Sequence, residues 1–84
     1  SDVSLLVYPN PSNGLFTIEM NETAIENTTY KLEVYNVLGE VVEQAEIRNT
    51  KTEINLTSQQ KGIYLMKVID KENNSISVKK LIKE

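Results

Sequence analysis

Two of the side chains that usually carry chemistry are missing from this 84-residue chain: it has no histidine and no cysteine. Thiolate nucleophiles, Ser–His and Cys–His pairs, disulfides and the common zinc ligand sets are therefore excluded. Carboxylates remain, and glycosidic chemistry would need two of them held together in a cleft. Glu19, Glu33, Glu40, Glu43, Glu46 and Glu53 instead fall on outward strand positions or turns, where they read as solvated surface. The stretch nearest to a calcium loop, "DKENN" at 70–74, has only two carboxylates and lacks the spacing such a loop needs. The three glycines, Gly14, Gly39 and Gly62, lie too far apart to cradle a phosphate. Asn-x-Ser/Thr triplets begin at Asn21, Asn27, Asn55 and Asn73, which is what nine asparagines among many hydroxyl residues yield by chance. No metal or cofactor is expected.

Charge is the remaining signal. Residues 61–84 carry six lysines against three acids, whereas residues 1–60 carry three basic residues against nine acids. An acidic body with a basic tail has two readings: an edge strand guarded by lysines, or a surface presented to a partner. Nucleic acid is excluded as that partner by the net charge of −3, the single arginine and the absence of basic–aromatic interleaving. Carbohydrate stacking would need a platform of exposed aromatics, and Tyr35 is the one tyrosine expected to face outward.

The elements that would position these groups are β-strands. Valine, isoleucine and threonine number 23 against two alanines. Period-two alternation recurs between turn signals, and no helical period persists. Seven strands are predicted, over 4–8, 15–20, 30–36, 40–48, 52–56, 62–70 and 75–83, with a polar connection at 21–29 and no helix. Phe16, Ile18 and Met20 share one face, as do Tyr30, Leu32 and Val34. The broken alternation at Val41, Val42, Ala45 and Ile47 predicts a bulge. "GIYLMKVID" (62–70) is apolar on both faces, as a central strand covered on both sides would be. In the last strand Ile76, Val78 and Ile82 alternate with polar positions. No apolar run approaches the ~20 residues of a membrane span, and the start has no signal-like stretch. The opening Ser1 suggests a piece of a longer protein.

The turns are legible too. "NVLG" (36–39) has asparagine and glycine at the ends of a type I turn, with Gly39 leading into a G1 bulge, and "DKENNS" (70–75) makes a similar link. In "YPNPSNG" (8–14), Pro9 ends the first strand, Pro11 presets a turn beginning at Asn10, and Gly14 supplies the left-handed exit. Gly62 followed by Tyr64 fits a tyrosine corner, the phenol tying back to the preceding connection. The predicted fold is all-β: an immunoglobulin-like antiparallel sandwich with Greek-key connections.

Taken in order, "YPNPSNG", "LEVYNVLGEVV", "GIYLMKV" and "VKKLIK" resemble the type A C-terminal sorting domain of the type IX secretion system of Bacteroidetes, over about residues 5–83. The resemblance implies one sorting domain over 1–84, with residues 1–4 as linker from an upstream cargo. It implies a non-enzymatic role: a cargo reaches the periplasm by its own signal, and the domain addresses it to the outer-membrane translocon. A sortase-like peptidase commonly then cleaves it, leaving the cargo at the surface or released. The family motifs fall on Pro9, Asn10, Pro11 and Gly14; on Asn36, Gly39 and Val42; on Gly62, Tyr64 and Val68; and on Lys79, Lys80, Leu81, Ile82 and Lys83. The last five are the expected contacts with the secretion machinery, while the others chiefly secure the fold. The competing reading is an immunoglobulin-like accessory module, binding carbohydrate or spacing domains on a secreted hydrolase or adhesin.

Overall fold

The computed structural model describes residues 3–26 and 28–84. It is a two-sheet sandwich. Strands β1 (Leu5–Tyr8), β2 (Leu15–Met20) and β5 (Lys51–Asn55) form one sheet in the order β1-β2-β5. Strands β3 (Tyr30–Tyr35), β4 (Val41–Ile47), β6 (Gly62–Ile69) and β7 (Ser75–Lys83) form the other in the order β4-β3-β6-β7. Every strand pair within the sheets is antiparallel, and β5 leaves the β3–β4 hairpin for the opposite sheet before β6 returns beside β3. The connection at 21–29 contains one element not expected from the sequence, the single-turn helix α1 (Glu22–Ile25). Its Ala24 packs into the core and its carbonyl accepts from the Tyr30 hydroxyl at 3.0 Å, so a polar stretch still closes the sandwich.

Alternation explains the core directly. Phe16, Ile18 and Met20 of β2 and Leu32 and Val34 of β3 are at most 1 % exposed, and Ile47, Ile54, Leu56, Met66, Val68 and Leu81 join them. With no disulfide to restrict the unfolded chain, stability rests on burying these side chains, at about 1.5–3 kcal/mol each before conformational entropy is counted. The expected bulge sits where Val34 pairs with Glu43 but Tyr35 with Val41, leaving Val42 as the extra residue.

Both hairpins of the four-stranded sheet use one turn design. In the β3–β4 turn, Asn36 Oδ1 accepts from the amides of Leu38 (2.9 Å) and Glu40 (3.0 Å), and Gly39 takes φ +84°. In the β6–β7 turn, Asp70 Oδ1 accepts from Glu72 and Asn74 (both 2.9 Å), and Asn73 takes φ +65°. An Asx side chain thus replaces the missing strand partners, and the residue three positions on adopts the left-handed conformation. The Asp70 carboxylate, the first acid of the calcium-like stretch, is committed to this turn.

Candidate functional site

The site begins with the edge strand β7 and the loop that lies on it. "PNPSNG" does not close on itself as a local turn. The Tyr8–Pro9 and Asn10–Pro11 bonds are both cis, and the polar groups of the loop reach across to β7. Asn10 Nδ2 donates to the Lys80 carbonyl at 2.8 Å, and the Ile82 amide donates to Asn10 Oδ1 at 3.0 Å. The Ser12 amide donates to the Ile82 carbonyl at 3.0 Å, and the Glu84 amide to the Ser12 carbonyl at 2.8 Å, making a short parallel bridge beside Lys83. Four hydrogen bonds therefore cover the outer edge of β7 from Lys80 to Glu84, where an edge strand would otherwise leave unpaired main-chain groups. Ser12 is the pivot. It is 5 % exposed, its hydroxyl donates to the Leu15 carbonyl at 2.5 Å, and it accepts from the Gly14 amide at 3.1 Å. Gly14 must be glycine for two reasons. Its φ is +133°, and a Cβ there would lie 2.8–2.9 Å from Thr57 backbone and side-chain atoms.

The second support comes from the β5–β6 connection. The Tyr64 hydroxyl donates to the Gln60 carbonyl at 2.5 Å, the expected tyrosine corner. The Lys83 ammonium reaches the same connection and donates to the carbonyls of Thr57 (3.1 Å) and Gln59.

The five tail residues therefore divide. Leu81, opposite Tyr64, is fully buried and belongs to the core. Lys83 is half-buried, its amine bound to main-chain carbonyls. Lys79 and Lys80 are exposed, and Ile82 is half-buried opposite Ile63. Since Leu81 faces inward, Val78, Lys80 and Ile82 lie on the outward face by strand alternation, while the register slips at Ile76, which packs against the core. The motif residues away from the tail serve the frame: Val68 is core, Asn36 and Gly39 form the hairpin turn, Val42 is the bulge and Gly62 opens β6. Of the expected linker, Ser1 and Asp2 lie outside the described residues. Val3 packs against the core, and the Ser4 amide donates to Asn21 Oδ1 at 2.8 Å.

Tyr35 is not alone in facing outward. Tyr8 is 38 % exposed, and its hydroxyl donates to Glu19 at 2.6 Å, as that of Tyr35 does to Glu33 at 2.5 Å. Each carboxylate holds the neutral phenol as a donor and raises its pKa above the usual 10. The two rings stand on different sheets and cannot form one stacking platform.

Residues 6–84 match the family model of the secretion system C-terminal sorting domain. The chain belongs to this family. It is also 33 % identical, over 78 residues, to an endo-acting ulvan lyase of Formosa agariphila; the match covers 92 % of this chain and 14 % of the lyase. The chain thus spans about one seventh of that relative's length. The sorting domain is the type IX secretion signal, a tail domain of a larger protein bound for the cell surface or exterior, and the family is not catalytic. What sequence reasoning missed is the joining of the first and last family motifs. Asn10 and Ser12 make the bonds, yet both residue types read locally as turn formers.

Proposed function

We propose that this sorting domain works as a folded address whose last strand is read by the type IX apparatus, chiefly through Lys79 and Lys80. The cargo lies upstream, reaches the periplasm by its own signal, and is parted from the domain by a sortase-like peptidase, to be anchored or released. The domain itself performs no catalysis. The observation that carries this reading is the clamp on β7. It fixes the strand's outer edge while leaving the two lysine side chains in solvent. A fixed strand presents its charges without a further ordering cost on binding, and lysine offers a point charge suited to carboxylates. The carbohydrate-binding reading loses support because the outward tyrosines stand on opposite faces.

The test is a periplasmic reporter fused ahead of residues 1–84 in a type IX host, compared with the same fusion carrying Lys79→Glu and Lys80→Glu. Both side chains are exposed, so the purified double variant is expected to melt with the unmodified domain while its export falls. Undiminished export of a folded double variant would refute the assignment of these lysines.

A further inference from the structure

Strand β6 carries apolar residues on both faces, yet over its first half only the inner face is covered. On the outer face Ile63 and Leu65 are 48 % and 46 % exposed. The register builds a continuous surface around them. Tyr35 on β3 and Lys80 on β7 flank Leu65, Val41 lies beyond Tyr35, and Ile82 stands beside Ile63. The tip of the β3–β4 hairpin adds Val37 and Leu38, each nearly four-fifths exposed, and a shallow hollow forms between Tyr35, Val37, Gly39, Ile63 and Leu65. The other half of this face exposes charged and polar groups around the buried Ile69: Glu33 opposite Lys67 and Gln44, and Lys31 opposite Glu46. On the other sheet the exposed Leu6 and Leu15 stand among Thr17, Glu19, Glu53 and Asn55. Single exposed apolar residues are ordinary, but a contiguous cluster at one end of one face marks an interface.

We infer that this end of the four-stranded sheet is the surface by which the domain is held by a protein of the export machinery. That partner has an apolar centre and carboxylates set to meet Lys61 and Lys80. The inference rests on the sorting function above and extends it from the lysines of β7 to the apolar face beside them. Two observations select this occupant. First, the chain enters at the opposite end of the molecule. Val3 and Leu5 lie beside Ser75–Lys79 at the start of β7, whereas the cluster surrounds the end of β7, along a molecule 36 Å in its longest dimension. A cargo attached through Val3 leads away from the cluster. Second, the exposed Lys61 lines an adjoining hollow with Val37, Leu38 and Ile63, and Lys80 sits next to Leu65. A second copy docking by the same face would bring these ammonium groups together, whereas a partner bearing acids complements them. Glu40, the acid nearest the hairpin tip, is already bonded to the Asn36 amide at 2.8 Å.

The test uses the reporter fusion with Leu65→Glu, with Ile63→Asp as a second variant and Gln44→Glu as the control on the charged half. Thermal melting of the purified domains establishes folding, and sedimentation over a range of concentrations establishes their oligomeric state. The expected result is a folded, monomeric domain whose export falls about tenfold or more in Leu65→Glu and Ile63→Asp, the loss typical of a charge placed at an interface centre, and is unchanged in Gln44→Glu. Retention of the unmodified fusion overturns the sorting function and this inference with it. Normal export of the unmodified fusion and of folded Leu65→Glu and Ile63→Asp overturns the inference alone, as does an equal loss in Gln44→Glu. A dimer that Leu65→Glu dissociates assigns the face to a second copy and also overturns it.

Discussion

Asn10→Ala isolates the clamp. The substitution removes the two side-chain bonds, to the Lys80 carbonyl and from the Ile82 amide, and leaves both Ser12 main-chain bonds in place. Hydrogen bonds contribute about 0.5–1.5 kcal/mol each, and because Asn10 is exposed, water partly replaces them, so the expected loss is about 1–2 kcal/mol. In a domain of this size that lowers Tm by roughly 5–12 °C. Asn13→Ala is the control: Asn13 is exposed in the same loop, and its side chain bonds to no described group, so its change stays within about 0.5 kcal/mol. Hydrogen exchange locates the effect. The Ile82 amide, which donates to Asn10, should exchange faster relative to the global opening rate, whereas the amides of β3 in the sheet centre should follow global opening alone. Equal melting of Asn10→Ala and Asn13→Ala, with unchanged Ile82 protection, would refute the clamp.

Four further outcomes follow from the frame. Gly14→Ala combines φ +133° with a Cβ at 2.8–2.9 Å from Thr57, and should cost more than about 3 kcal/mol in chemical denaturation. Gly39→Ala, with open space around it, should cost only about 1 kcal/mol. Tyr64→Phe leaves the ring in the core but orphans the Gln60 carbonyl, and a loss of about 1–2 kcal/mol should appear as a lower urea midpoint at unchanged slope. Absorbance titration should show Tyr35 ionising above its ordinary value, and Glu33→Gln should bring it back. Because the folded pKa is the raised one, this contribution to stability is present below about pH 10 and is lost as pH rises through the folded value.

The strands were legible because alternation and turn chemistry agree. Each observed boundary falls within one residue of its sequence expectation, and Asn36, Gly39 and Asp70 act as their types imply. Four features lay outside what local pattern can report. α1 draws on a polar stretch whose value comes from where Ala24 and its carbonyl meet Tyr30. Alternation groups the residues of β7 but does not orient the strand; the pairing of Leu81 with Tyr64 turns Val78 and Ile82 outward, and a register slip returns Ile76 to the core. For β6, a strand apolar on both faces reads as covered on both, although the outer face is left open at Ile63 and Leu65. The Asn10–β7 bonds span 70 and 72 residues, and on the β7 side they are formed by main-chain groups that every residue type carries. The candidate site was therefore named in the sequence as two separate motifs, and only the fold makes them one.

That union determines which perturbations can locate recognition. Removing residues 79–84 deletes Leu81 from the core, where a large apolar truncation alone costs about 2–5 kcal/mol. It also deletes the Lys80, Ile82 and Glu84 main-chain partners of the opening loop and the Lys83 amine that ties down the β5–β6 connection. In a small domain without disulfides, whose total stability is of order 5 kcal/mol, these losses together are enough to unfold it. A truncated tail that fails in export would then report loss of the fold, whatever the machinery contacts. Exposed side chains separate the two effects, because reversing Lys80 or Leu65 alters the outward surface and leaves the Asn10 and Ser12 bonds intact. If recognition required only an unfolded tail peptide, Asn10→Ala would leave export unchanged or raise it. If the folded strand is what is read, export should fall in step with the population of clamped domain.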